Sequence, residues 1–423
     1  MMQKVSYDAI GETLYTGTLP NGLTVYVIPK PGFCKKYAFF ATNYGGADRR
    51  FLLDGQWRDT PAGIAHFLEH KLFDTETGNA LADLAANGAQ PNAFTSSELT
   101  AYYFECTEGF EENLKTLLSF VSVPYFTEES VEKEQGIIGQ EIDMMEDTPD
   151  YAVYYNLLRG LYGVHPVRDM IGGTKESIAQ ITAQTLYDLH SAFYGHSNMV
   201  LCVAGDVDPD GVLEIAGEIL PEACDPVPEK DYGPVDQRPV IQARTEVTME
   251  VSKPMFLAGT RTAPGALGRE CLLQELVGSL AVVYLAGDSS PLYLELYNQG
   301  LITADFSAHY TCGRGHAFTA FGGESRDPDQ VLEKLRAEST ATLLGGIDEE
   351  RFERLKRSVY GTVIKGLDTM EGLCYDQTEC HFFGTTALDR LSVLETVTSA
   401  HVLAFIAENL QPEQFALSVV RPR

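Results

Sequence analysis

No stretch of this chain is long and apolar enough to span a bilayer: the longest apolar runs, such as the one at 200–204, fall far short of the roughly 18 residues a membrane helix needs. The amino terminus lacks an apolar core as well; Met1 to Tyr7 is polar and leads into a strand pattern, so no secretory leader is expected. CxxC pairs are absent. The eight cysteines (Cys34, Cys106, Cys202, Cys224, Cys271, Cys312, Cys374 and Cys380) are scattered, and most sit among apolar neighbours, where a free thiol behaves as a small hydrophobe. That usage fits a reducing cytoplasm and not a disulfide framework. Basic residues are scarce too, 31 Lys and Arg against 60 Asp and Glu, a net charge of −29. Such a surface stays soluble, repels the phosphates of nucleic acid and favours basic peptides if it favours anything. What remains is a soluble cytoplasmic globular protein with no nucleic-acid and no membrane partner.

With 423 residues the chain is comfortable for two domains of about 200 residues each. The first half opens with strand-like text around an Asn21-Gly22 turn and in YAFFATNYGG. Helix patterns follow at 62–73 and 79–87, then two strands (NAFTSSE and TAYYFECT), then helices at 109–121, Glu128–Glu146, 151–162 and 175–193, and the buried strand MVLCVAG. PEACDPVPEKDYGPVDQRPVIQ, with five prolines and little periodicity, reads as a linker over 222–242. The second half repeats the order of the first: strands in EVTMEVSKPMFLAGTRT, helix at 270–285, a short helix in SPLYLELYNQGLI, strands ADFSAHYT and HAFTAFGGE, helices at 328–342, 349–367 and 392–409, and strand FALSVV. The expectation is an α+β protein of two homologous, duplicated domains, 1–221 and 243–423, each an antiparallel sheet carrying helices, the two sheets facing one another.

The sharpest feature is His66-Phe67-Leu68-Glu69-His70. On a helix, residues four apart share a face, so both imidazoles can reach one ion. Glu69 sits beside them, placed to take a proton from a water whose pKa zinc lowers toward about 7. H-x-x-E-H should occur by accident in roughly one such chain in a hundred. Zinc (Zn2+) needs a third protein ligand, and VEKEQGIIGQEIDMMED offers Glu132, Glu134, Glu141 and Glu146. Glu134 and Glu141 share a face at i, i+7, so one could bind metal while the other orients a ligand; spacing does not choose between them. The run Gly136, Ile137, Ile138, Gly139, Ile142 suggests a helix largely enclosed by protein. His165 reads as a loop residue and His190 and His196 as capping residues, while the C-x5-C-H at Cys374, Cys380 and His381 matches no common zinc spacing.

HxxEH followed by an E-x6-E helix resembles the pitrilysin/insulinase metallopeptidases, the inverzincins. LPNGLTVYV, PAGIAHFLEHKLF, PNAFTS, His165-Pro166 and SNMVLCVAGDVD extend the likeness over the first half, and more faintly the second; among members the chain looks most like bacterial YmfH-like proteins. The resemblance implies a mitochondrial-processing-peptidase-like metallohydrolase fold, zinc on His66, His70 and Glu141, Glu69 as general base and Glu134 as the carboxylate behind a ligand. It implies that Asn92, Ala93 and Phe94 pair with an extended peptide substrate as an added strand. Relatives carry an arginine and a tyrosine in the second half, where this chain has Tyr297 and Thr303; Tyr310 or Arg314 could substitute. The expected activity is a zinc endopeptidase acting on short or unfolded peptides, with a partner subunit of the same family supplying the Arg/Tyr pair, or otherwise a homodimer. The other expectation is a zinc-binding scaffold subunit with little catalysis of its own.

Overall fold

The computed structural model describes residues 1–222, 226–236, 238 and 240–423. The first half builds a seven-stranded sheet from Gln3–Tyr7 (β1), Glu12–Thr18 (β2), Thr24–Pro29 (β3), Lys36–Thr42 (β4), Gln90–Thr95 (β5), Thr100–Cys106 (β6) and Met199–Gly205 (β7), in the order β1-β2-β3-β7-β4-β6-β5. The second half builds a five-stranded sheet from Arg244–Met249 (β8), Met255–Gly259 (β9), Ser307–Gly313 (β10), His316–Glu324 (β11) and Ala416–Pro422 (β12), in the order β8-β12-β9-β11-β10. Strand for strand, β3-β7-β4-β6-β5 and β8-β12-β9-β11-β10 follow one plan. Both sheets are antiparallel except at one pair each, β3 with β7 and β8 with β12, at equivalent positions. This is the expected α+β architecture, with a parallel pair per sheet that the sequence pattern did not announce.

Alternation drives the sheets: Phe40 and Ala38 of β4 point to one core, Phe39 and Ala41 to another, and all four are buried. A sheet with two buried faces needs helices on both. Each sheet covers its outer face with helices of its own half, among them Ile64–Leu72 (α1), Glu128–Glu146 (α2), Arg269–Ala286 (α4) and Glu349–Gly366 (α5). The inner faces are covered by exchange. Pro149–Leu161 (α3), from the first half, packs on β12 and β9; Met370–Phe382 (α6), from the second half, packs on the equivalent β7 and β4. Tyr155, Leu157 and Leu158 thereby meet Phe318 and Ala416, while Leu373 and Cys374 meet Phe39, Val200 and Cys202.

Several expected boundaries moved, each for a local reason. The helix expected at 175–193 is two, Lys175–Ile178 and Ala183–Phe193, because the Thr182 hydroxyl accepts from the Thr185 amide and starts a new helix. The one expected at 392–409 breaks at Thr398, whose amide donates to His401 Nδ1 at 3.2 Å as the next helix starts. The helices α6 and Pro209–Ile219 were not anticipated. α6 buries Leu373, Cys374, Gln377, Thr378 and Cys380 on one face, and the polar Gln377 and Thr378 within it hide the apolar stripe. The hairpin Arg50–Leu53/Gln56–Asp59 was also missed, although Asp54-Gly55, both with positive φ, is the dipeptide that a tight hairpin turn favours. The expected linker falls partly outside the described residues. Its described part includes Glu229 and Lys230, which pair as a short strand with Leu52 and Phe51.

Candidate metal centre

α1 opens at Gly63, whose φ of +91° and close approach to the carbonyl of Gly172 leave no room for a side chain. From there the helix carries His66 and Glu69, both buried, and half-buried His70 to the middle turns of a neighbouring helix, α2. α2 starts at a reciprocal cap between Thr127 and Ser130 and brings Glu134 and Glu141 to the histidines two turns apart. Nε2 of His66 lies 3.7 Å from Glu141 Oε1, and Nε2 of His70 lies 3.7 Å from Glu141 Oε2. One donor atom from each of His66, His70 and Glu141 lies within 4.8 Å of the others. Those separations exceed a hydrogen bond and approach the roughly 3.4 Å between neighbouring ligands of a tetrahedral ion with bonds of about 2.1 Å. Donors that converge without bonding one another, two imidazoles and a carboxylate, are a set that fits zinc.

Glu134 takes the other side of His70. Its Oε1 lies 3.1 Å from Nδ1, and a carboxylate only accepts, so Nδ1 carries the proton and, in the neutral imidazole, Nε2 keeps a lone pair toward Glu141. Thus α2 separates the two carboxylates that spacing left equivalent. Glu132 and Glu146 are exposed on α2 and outside the cluster. The expectation of an enclosed α2 is corrected: Ile138, Gly139 and Ile142 are buried, but Gly136 and Ile137 are exposed, because only one face of the helix meets α1.

Burial, and secondarily the neighbouring His70, lower the pKa of His66 to about 4, so it is a neutral imidazole able to ligate. Burial also lowers His70, but the Glu134 hydrogen bond and the carboxylates of Glu69, Glu134 and Glu141 outweigh it and raise the net value. Glu69 is raised by burial, with Thr95 and His70 pulling the other way. A carboxylate raised from its usual range is better matched to proton transfer near neutral pH.

Thr95 was not singled out in the sequence, and it is the nearest partner of Glu69: its hydroxyl donates to Glu69 Oε2 at 2.6 Å. Alternation could have found it, because Ala93 and Thr95 of β5 share a face. That face is the α1 side, where Ala93 packs on the outer core, whereas Phe94 points into the inner core with Phe39, Tyr103 and Tyr375. β5 pairs only with β6 among the described strands, so its other edge offers unpaired amides and carbonyls alongside α1.

Of the second-half residues considered for the missing donors, Tyr297 is exposed and stacks on Tyr293, and Thr303 bonds Asp305. Tyr310 is turned toward Thr262 and Gln274, at 3.4 and 3.1 Å. Arg314 is held by Asn43, while its amide donates to Glu98 and its guanidinium lies over Phe383. His165 is more than a loop residue: it faces the Arg314 carbonyl and stacks on Tyr232. His190 bonds the Val121 carbonyl within the core.

Two family models match the chain: Insulinase (Peptidase family M16) over residues 55–175 and Peptidase M16 inactive domain over residues 180–359. The uncharacterized zinc protease YmfH of Bacillus subtilis is 39% identical, with 100% of each chain covered. The crystal structure of an M16-like peptidase from Alicyclobacillus acidocaldarius superposes with a TM-score of 0.93 at 35% identity, over 97% of this chain and 99% of that one. Pitrilysin shares the fold, with a TM-score of 0.79 at 16% identity; the match takes in 100% of this chain and 46% of pitrilysin. The Bacillus relative is thus called a zinc protease, and among the described residues no single helix is long and apolar enough to cross a membrane.

Proposed function

The chain belongs to the insulinase family of peptidases, peptidase family M16, and from that membership we propose that it is a zinc-dependent endopeptidase of short or unfolded peptides. The observation that carries the proposal is the convergence of His66 Nε2, His70 Nε2 and Glu141 beside a buried Glu69 that is itself oriented by Thr95. His66, His70 and Glu141 would hold zinc, which when bound supplies a Lewis acid for the scissile carbonyl and lowers the pKa of water. Glu134 keeps His70 in the ligating tautomer. Glu69 takes the proton from the attacking water and returns it to the departing amine. The free edge of β5, at Asn92, Ala93 and Phe94, receives the substrate as an added strand, which reads extended backbone before it reads side chains. A folded protein has no such strand to offer, so cleavage follows flexibility and length.

The two second-half residues considered as replacements for an arginine and tyrosine at a carbonyl oxyanion, Tyr310 and Arg314, are engaged elsewhere. A family-related partner subunit, or failing that a second copy, supplies those donors in this reading, in a reducing cytoplasm where the seven described cysteines stay free thiols. The same engagement favours the second reading, a zinc-binding scaffold subunit with little catalysis. Incubating the purified chain with zinc and a mixed peptide library, beside Glu69→Gln, separates them. Cleavage that disappears in the variant supports a self-sufficient peptidase. Absence of cleavage despite bound zinc sends the proposal to the partner subunit or, if no partner restores cleavage, to the scaffold reading.

A further inference from the structure

Lys71 is 1% exposed, yet it is a lysine. Taking an ammonium out of water costs several kcal/mol unless opposite charge meets it, so a wholly buried lysine asks for a reason beyond packing. It follows His70 on α1. Its ammonium contacts Asp74, which Asn79 Nδ2 approaches at 3.5 Å, and it lies 3.9 Å from Glu134 Oε2. The other oxygen of Glu134, Oε1, is the one that accepts from His70 Nδ1. A single carboxylate therefore accepts from the imidazole on one oxygen and has the ammonium beside the other, within ion-pair range but beyond a hydrogen bond.

This matters because a carboxyl group turns easily about its last bond. With only His70 as a partner, Glu134 could present either oxygen over a range of angles, and the imidazole plane would follow. With the Lys71 charge beside the second oxygen, the carboxylate is biased toward one orientation, and with it the direction in which His70 Nε2 faces Glu141. His66 has no equivalent: its Nδ1 is buried without a hydrogen-bond partner. Positional support of the metal centre thus falls on the His70 side. As a plain stability device the arrangement would be poor, because an isolated buried ion pair contributes little compared with an apolar residue of the same volume.

We propose that Lys71 is a positioning residue of the metal centre, acting through Glu134 to aim His70. The inference rests on reading His66, His70 and Glu141 as the ligands. Zinc affinity of the full chain, measured by competition with a chromophoric chelator, tests it together with the visible spectrum of the cobalt(II)-loaded protein. Lys71→Met should weaken zinc binding about 10- to 100-fold and alter the cobalt spectrum, as loss of an outer support does elsewhere. Lys71→Arg should restore most of the loss. In a Glu134→Gln background the Lys71→Met change should have no further effect. Unaltered affinity in a folded Lys71→Met protein, or an undiminished loss in the Glu134→Gln background, would overturn the proposal. Should Lys71→Met fail to fold, as judged by the unfolding midpoint of the metal-free protein, Lys71→Gln takes its place in both comparisons. A wild-type chain that binds no zinc would overturn the ligand assignment itself; zinc binding by the wild type that Lys71 does not influence overturns only this inference.

Discussion

Lys230 belongs to the segment between the halves, and its ammonium lies against buried Asp48 of the first half, with Nζ–Oδ2 at 2.7 Å. Nζ also donates to the Asn43 carbonyl at 2.7 Å, and the Tyr232 hydroxyl donates to the other Asp48 oxygen at 2.7 Å. Burial lowers its pKa from 10.5 to about 8, despite the pull of Asp48 in the opposite direction. At about 1.4 kcal/mol per pH unit, the charged form is disfavoured in the folded protein by about 3 kcal/mol. The sign follows from proton counts. Below about pH 8 both states hold the proton; between about 8 and 10.5 the unfolded chain holds a proton that the folded one has released, so stability rises with pH across that window. Lys230→Met has no proton to lose and lacks this rise. It should be less stable than wild type at about pH 7.5 by about 3–5 kcal/mol, because Asp48 is left buried without its cation. The gap should widen by about 1 kcal/mol at about pH 9. Urea unfolding of both proteins at the two pH values measures it. A gap that stays constant or narrows would refute the reasoning, since every other titrating group is common to the two proteins.

Glu141→Ala should abolish stoichiometric zinc binding while Glu146→Ala leaves it intact, as metal analysis after dialysis would read; only Glu141 lies in the cluster. Thr95→Val should remove a charge-assisted hydrogen bond worth about 1.5–3 kcal/mol and lower kcat about tenfold or more with little change in KM, and Thr95→Ser should recover most of it. Gly63→Ala should lower the thermal midpoint and cost more than about 2 kcal/mol, because a methyl group there combines a left-handed backbone with overlap on the Gly172 carbonyl.

What could be read in the sequence was what is local. α1 and α2 announce themselves through apolar spacing, caps and the i, i+4 histidines, and α2 ends where its pattern ends. Choosing between Glu134 and Glu141 was not possible from spacing, because residues seven apart share a face. The decision depends on which side of His70 each oxygen reaches, and that is set by how α2 packs on α1. Lys71 was not singled out in the sequence, and its approach to Glu134, 63 residues on, exists only once α2 packs on α1. Asp48 and Lys230, 182 residues apart, gave no signal at all.

The second half carries no HxxEH, yet the first half's site leans on it. α6 seals the inner face of the first sheet, and its Tyr375 ring lies 5.8 Å from Phe94, on the strand proposed to receive substrate. The loop at 43–48 holds the turn after β5 through Gly46 to Ser96 and Ala47 to Ser97, both bonds under 3 Å, and that loop is in turn fixed by Lys230 and Arg314. Thr95 precedes that turn directly, so the hydroxyl that orients Glu69 is positioned by residues of both halves and of the segment joining them. A duplicated half without metal ligands therefore has a reason to persist: it supplies the floor under β5 and the far anchor of the turn, neither of which the HxxEH half provides for itself.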